Sequence, residues 1–146
     1  MSPDRWLEIA FAELADAVRE VPGPASNPRI IEYGAVTTLK ATSDEVPWCS
    51  SFVCWVMEQA GFRSTRSAMA RSWLRWSEGA DLQLARMGAI TILRRGEPGS
   101  SQGHVGFLLT ARANKVALLG GNQADSVSVE WFDADRVLGF RWPKGV

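Results

Sequence analysis

The chain has 146 residues, 16 basic and 16 acidic side chains and a net charge of zero. That length supports one core and one domain, residues 1–146, while hydrophobic and charged fractions of 46% and 22% exclude disorder and coiled-coil architecture. A neutral chain offers no field to recruit nucleic acid or an anionic membrane, and one histidine with two cysteines is too few for an ordinary zinc site unless a carboxylate joins all three.

The first residues lack a basic segment, an apolar stretch and a small-residue cleavage site in succession, so no signal peptide is expected and synthesis is expected in the cytoplasm. Trp6, Leu7, Ile9, Ala10, Phe11, Leu14, Ala17 and Val18 recur at helical spacing behind Pro3, with Val21-Pro22-Gly23-Pro24 as the stop. Asn27-Pro28 opens a shorter helix through Ile30, Ile31 and Tyr33, and residues 39–47 read as a loop. From Cys49, the residues Phe52, Val53, Val56, Met57 and Ala60 form one face of a central helix ending at Gly61. A third helical region, about Ser67 to Trp76, carries Trp73 and Trp76.

After Gly88 the period changes. Ala89–Leu93, Val105–Leu109, Val116–Leu119, Val127–Phe132 and Val137–Trp142 are short apolar or β-branched runs separated by turn residues, which predicts about five strands. Helices first and strands second argue for an α+β fold with the helices on one side of an antiparallel sheet. Charge is uneven along the chain: residues 1–60 hold 4 bases and 9 acids, whereas residues 61–115 hold 9 and 3. Arg63, Arg66, Arg71 and Arg75 lead that basic stretch, which reads either as a solvated face or as the wall of a cleft for an anion.

Cys49 and Cys54 are five residues apart on one predicted helix, roughly 8 to 9 Å between Cα atoms, too far for a disulfide. Both are expected as free thiols. Cys49 starts the helix, where free N–H groups and the helix dipole favour the thiolate, so it is the candidate nucleophile. Cys54 sits mid-helix without such a field. The single histidine, His104, stands at a predicted strand start, where it can serve a thiol as proton acceptor and donor. A third residue must orient the imidazole, and Gly120-Gly121-Asn122-Gln123 offers two amides at the end of the next strand. Adjacent side chains in a strand face opposite ways, so one of them serves, and an adjacent antiparallel pairing favours Asn122 over Gln123.

Cysteine at a helix start, histidine at a strand start and a polar residue at the next strand end is the order of the papain-like cysteine peptidases. Val46-Pro47-Trp48-Cys49-Ser50-Ser51-Phe52-Val53, Ser67–Leu74, Gly103-His104-Val105-Gly106-Phe107, Gly120-Gly121-Asn122-Gln123 and the closing Arg141-Trp142-Pro143 resemble a compact branch of the CHAP and NlpC-like peptidoglycan hydrolases. The stretch Val21-Pro22-Gly23 to Asn27-Pro28-Arg29-Ile30 resembles that branch as well. The resemblance implies a papain-like fold and hydrolysis of an amide bond in peptidoglycan, within the stem peptide or between the lactyl group and the first alanine. It implies Cys49 as nucleophile, His104 as base then acid, and Asn122 as the orienting residue.

Trp48, Ser50, Arg71, Trp73 and Gln123 are the candidate substrate contacts, with helix packing the competing reading for the tryptophans. No metal or cofactor is expected, because Asp44-Glu45 offers too few carboxylates for the calcium loop of some CHAP domains. Peptidoglycan is the expected partner, with an immunity or delivery protein if the enzyme reaches the periplasm or wall through phage lysis or a secretion machine. The competing functions are papain-like chemistry on a protein or small amide, and a non-catalytic wall-binding module.

Overall fold

The computed structural model describes residues 3–23, 25–44, 47–97 and 99–146. Pro24, Glu45 and Val46, which figure in the stop signal, the short acidic pair and the motif around Cys49, lie outside the described residues. Three α-helices come first: α1 at Pro3–Ala15, α2 at Pro28–Gly34 and α3 at Cys49–Gln59. A 3-10 helix, Ala70–Arg75, stands where the third helical region is predicted. The strands are β1 (Gly79–Leu82), β2 (Ile90–Arg94), β3 (Gly103–Arg112), β4 (Lys115–Gln123), β5 (Ser126–Asp133) and β6 (Val137–Pro143). They form one antiparallel sheet in the order β1-β6-β2-β3-β4-β5.

The architecture is therefore α+β, with six strands rather than about five. Strand β1 escapes the sequence reading because Gly-Ala-Asp-Leu has little β-propensity; it forms by pairing Gly79 to Leu82 with Pro143 to Phe140 of β6. Helix α1 ends before its predicted stop for a similar reason. Ala17 takes a positive φ of 53°, after which the Val18 carbonyl accepts from the Val127 N–H and the Glu20 N–H donates to the Asp125 carbonyl. Tertiary pairing along the start of β5 thus outcompetes a final helical turn.

Helix α2 starts as the sequence implies, with the Asn27 side chain accepting the Arg29 N–H and Pro28 in the first turn. Helix α3 is buried along nearly its whole length and ends at Gly61, whose φ of 93° suits glycine. It crosses the sheet closely. Phe52 meets Phe107 of β3 edge to face at 6.4 Å, and a Cβ on Gly121 of β4 would lie 2.6 Å from the Trp48 ring and 2.7 Å from the Phe52 Cβ. Glycine at 121 lets the start of α3, with Cys49, sit directly on the β3–β4 pair.

Candidate active site

The site forms where β3 and β4 separate. Their pairing runs from Arg112↔Lys115 to Phe107↔Leu119, and continuing that register would set Asn122 opposite His104. The register of β4 with β5 instead shifts between Gly120↔Ser128 and Gln123↔Ser126, three residues of β4 against two of β5. That extra residue is a β-bulge, with Asn122 in the left-handed region at a φ of 56°. A one-residue shift reverses which side chain faces which surface.

Gln123, and not Asn122, therefore holds the histidine: its Oε1 lies 2.8 Å from His104 Nε2. The amide on the imidazole is thus Gln123 and not Asn122, the one that strand alternation favours, while Gln123 also lines the cleft beside the ring. Asn122 lines the neighbouring cleft. The sequence carried a signal for the bulge, since two glycines followed by asparagine inside a strand favour an irregular ladder and a left-handed residue.

The amide of Gln123 cannot be turned around. Its Nε2 donates to the carbonyls of Ser128 at 2.8 Å and Leu118 at 3.2 Å, leaving Oε1 to accept from the imidazole. Gly120 makes room, because a Cβ there would lie 2.5 Å from that oxygen. It follows that His104 Nε2 carries the hydrogen and that Nδ1 of the neutral ring is the basic nitrogen. Phe132 packs on the ring at 5.1 Å between centroids.

Burial lowers the His104 imidazole to about 4; the Gln123 hydrogen bond opposes this, and the charges of Arg95 and Arg136 add to it. The unfolded chain holds a proton on this residue up to about pH 6.5. The neutral ring thus contributes stability that is complete above about pH 6.5 and is lost as pH falls toward 4, roughly 3 kcal/mol in all. Between pH 7 and 4 the wild type is expected to lose more stability in urea titrations than His104→Gln does. Parallel losses would show that this histidine is not buried neutral.

Cys49 reaches the same break in the ladder from the other side. Leu108 donates to Ala89 on the β2 side, so alternation turns the Val105 N–H toward β4, which has bulged away. The backbone N–H groups of Val105, of Ser50 and of Cys49 itself bear on the Cys49 sulfur and favour its charged form. Its sequence-expected activation is nevertheless reversed. The residue is 7% exposed, and burial pushes the thiol pKa up by more than the three N–H groups and Arg95 pull it down. Burial thus favours the thiol form of Cys49 and the neutral form of His104.

Cys54 is free, as is Cys49, but it is wholly buried, facing Thr65 Oγ1 and the Ser67 carbonyl at 3.7 Å. At pH 8, iodoacetamide is expected to alkylate native Cys49 at least about tenfold faster than Cys54, at a rate that climbs with pH. Peptide mapping by mass spectrometry measures both rates; equal labelling would remove the distinction between the two thiols.

Three of the sequence-chosen substrate contacts are structural instead. Trp48 is 2% exposed, and Ser50 and Trp73 are fully buried, so none presents a surface to a ligand. Trp48 donates from Nε1 to Glu20 at 3.3 Å and packs against Tyr33. Trp73 Nε1 donates to Ser50 Oγ, which in turn donates to the Ser67 carbonyl at 2.7 Å, tying the 3-10 helix to α3. Arg71 is half-buried and its Nε donates to the Gln102 carbonyl at 2.6 Å. It fixes the chain entering β3 two residues before His104. Arg66 pairs with Glu58 at 3.3 Å, while Arg63 and Arg75 line a separate pocket with Ser64, Thr65 and Ser72.

The open side of His104 is a cleft of about 260 Å³ lined by Arg95, His104, Asn122, Gln123, Ala124, Glu130, Trp131 and Phe132. Arg95, Trp131 and Phe132 were not singled out by sequence, since nothing local joins the β2–β3 turn to β5. Among the described residues no group of three or more His, Cys, Asp or Glu side chains could hold a metal ion. No helix there is long and apolar enough to cross a membrane. Comparison of the chain with protein-family models, with curated proteins and with solved structures returns no match.

Proposed function

We propose that the protein is a papain-like cysteine hydrolase that cleaves an amide bond in bacterial peptidoglycan, as a stem-peptide endopeptidase or an N-acetylmuramoyl-L-alanine amidase. The observation that carries this reading is the locked His104–Gln123 hydrogen bond, together with a cysteine at the start of a buried helix whose sulfur feels the backbone of Val105, the residue after His104. A fixed amide on Nε2 leaves Nδ1 as the only nitrogen able to take a proton, and the nearby thiol is a group that needs one taken.

In this reading Nδ1 accepts the Cys49 proton as the sulfur attacks the substrate carbonyl carbon. The carbonyl oxygen gains the electron pair and is met by N–H groups at the start of α3, where Trp48 supplies no side-chain cap. The tetrahedral species collapses, the imidazolium protonates the departing amine, and a thioester remains. Water, deprotonated by His104, hydrolyses it and restores the thiol.

Peptidoglycan as substrate rests on the motif resemblance together with this site. Two free thiols fit synthesis in a reducing compartment, with delivery to the wall by phage lysis or a secretion machine and with an immunity or delivery protein as a further partner. Purified sacculi digested by the wild type and by Cys49→Ala, with soluble products identified by mass spectrometry, test the reading. Defined fragments from the wild type alone are the expected result, and their masses name the bond. No release by either protein overturns the wall substrate in favour of a protein or small amide.

A further inference from the structure

We propose that Arg95 is the carboxylate-binding residue of the catalytic cleft, so that the amide this protein cuts bears a free carboxylate near the scissile bond. This rests on the hydrolase reading of Cys49 and His104 and adds a substrate class to it. Arg95 is exposed and lines the cleft together with His104 and Asn122. Its charge bears on both the Cys49 sulfur and the His104 ring.

Arg136, the other cation whose charge reaches the His104 ring, is committed elsewhere. Arg136 donates from Nε to the Arg94 carbonyl at 3.2 Å and lies over the Phe132 ring at 5.4 Å. Ion pairs take up Arg29, Arg66, Lys115 and Arg141. Arg95 has no carboxylate partner among the described residues. An unpaired guanidinium in a cleft is a fork of donors matched to a carboxylate.

The remaining lining narrows the ligand. Glu130 stands in the same cleft, accepting from Ser128 Oγ at 3.4 Å, and Trp131 is 50% exposed. One free cation, one carboxylate and an aromatic face suit a peptide or glycopeptide with a single carboxylate near the cut, and repel a polyanion.

Binding separates this proposal from turnover. Cys49→Ala is titrated with two muropeptides that differ only at the α-carboxylate of the stem glutamate, free in one and amidated in the other. The free acid is expected to bind roughly ten- to a hundredfold tighter, and Arg95→Gln in the same background to erase that preference, with Arg95→Lys restoring part of it. Equal affinities, absence of binding by both, or a preference that survives Arg95→Gln would overturn the carboxylate assignment. The hydrolase reading fails on a separate result, a wild type that releases nothing from sacculi whatever these titrations show.

Discussion

Cys49→Ala is expected to lower fragment release from sacculi by at least about a thousandfold, because the residual rate without a nucleophile comes only from binding and the N–H groups that meet the oxyanion. The fold should survive. Alanine keeps the helix start and the close contact of α3 with Gly121, and loss of one buried sulfur costs about 1 kcal/mol, a few degrees in Tm for a chain of this length. His104→Ala should be as inactive, since His104 is the one histidine of the chain and the base of the proposed mechanism. Wild-type turnover by either folded variant would refute the covalent mechanism.

The second large effect separates two neighbours in sequence. Gln123→Ala is expected to lower kcat by roughly a hundredfold or more, with KM little changed, because the ring loses its orienting acceptor and with it the fixed tautomer. It should also cost about 1 to 3 kcal/mol, since the His104 Nε2–H and two carbonyls lose buried partners. Asn122→Ala should keep kcat within about threefold. Its cost is local: alanine at a φ of 56° is strained by about 1 kcal/mol, which Asn122→Gly relieves. Kinetics below the melting point of each variant decide the matter, and an Asn122→Ala enzyme as slow as Gln123→Ala would mean that the amide roles are reversed.

These two residues show where reading the chain succeeds and where it stops. Helical spacing at Phe52, Val53, Val56 and Met57 and β-branched runs such as Ile90–Leu93 are local signals, and the elements they announce are present. The placement of Cys49 at a helix start and His104 near a strand start follows from the same signals. Strand alternation, applied to β4, fails at Asn122 because it assumes an unbroken ladder. A bulge is settled by which backbone groups find partners across two neighbouring strands.

Burial is the other quantity hidden from sequence. An indole in a motif reads equally as a ligand platform or as core, and only packing against Tyr33 for Trp48, or against Trp76 and Ser50 for Trp73, makes these two core. Arg95 is the converse case, an ordinary turn residue until β5 brings Trp131 and Glu130 into the same cleft.

Composition, periodicity and turn residues thus determined by themselves an α+β fold, its central helix, five of the six strands described, and the places of Cys49 at a helix start and His104 near a strand start. The tertiary structure alone decided that Gln123 bonds the ring, and that burial raises the Cys49 thiol and lowers the His104 imidazole. Both decisions depend on energies that no short segment carries. Pairing across strands selects the face a side chain presents, and desolvation by the whole core outweighs the field at the start of one helix.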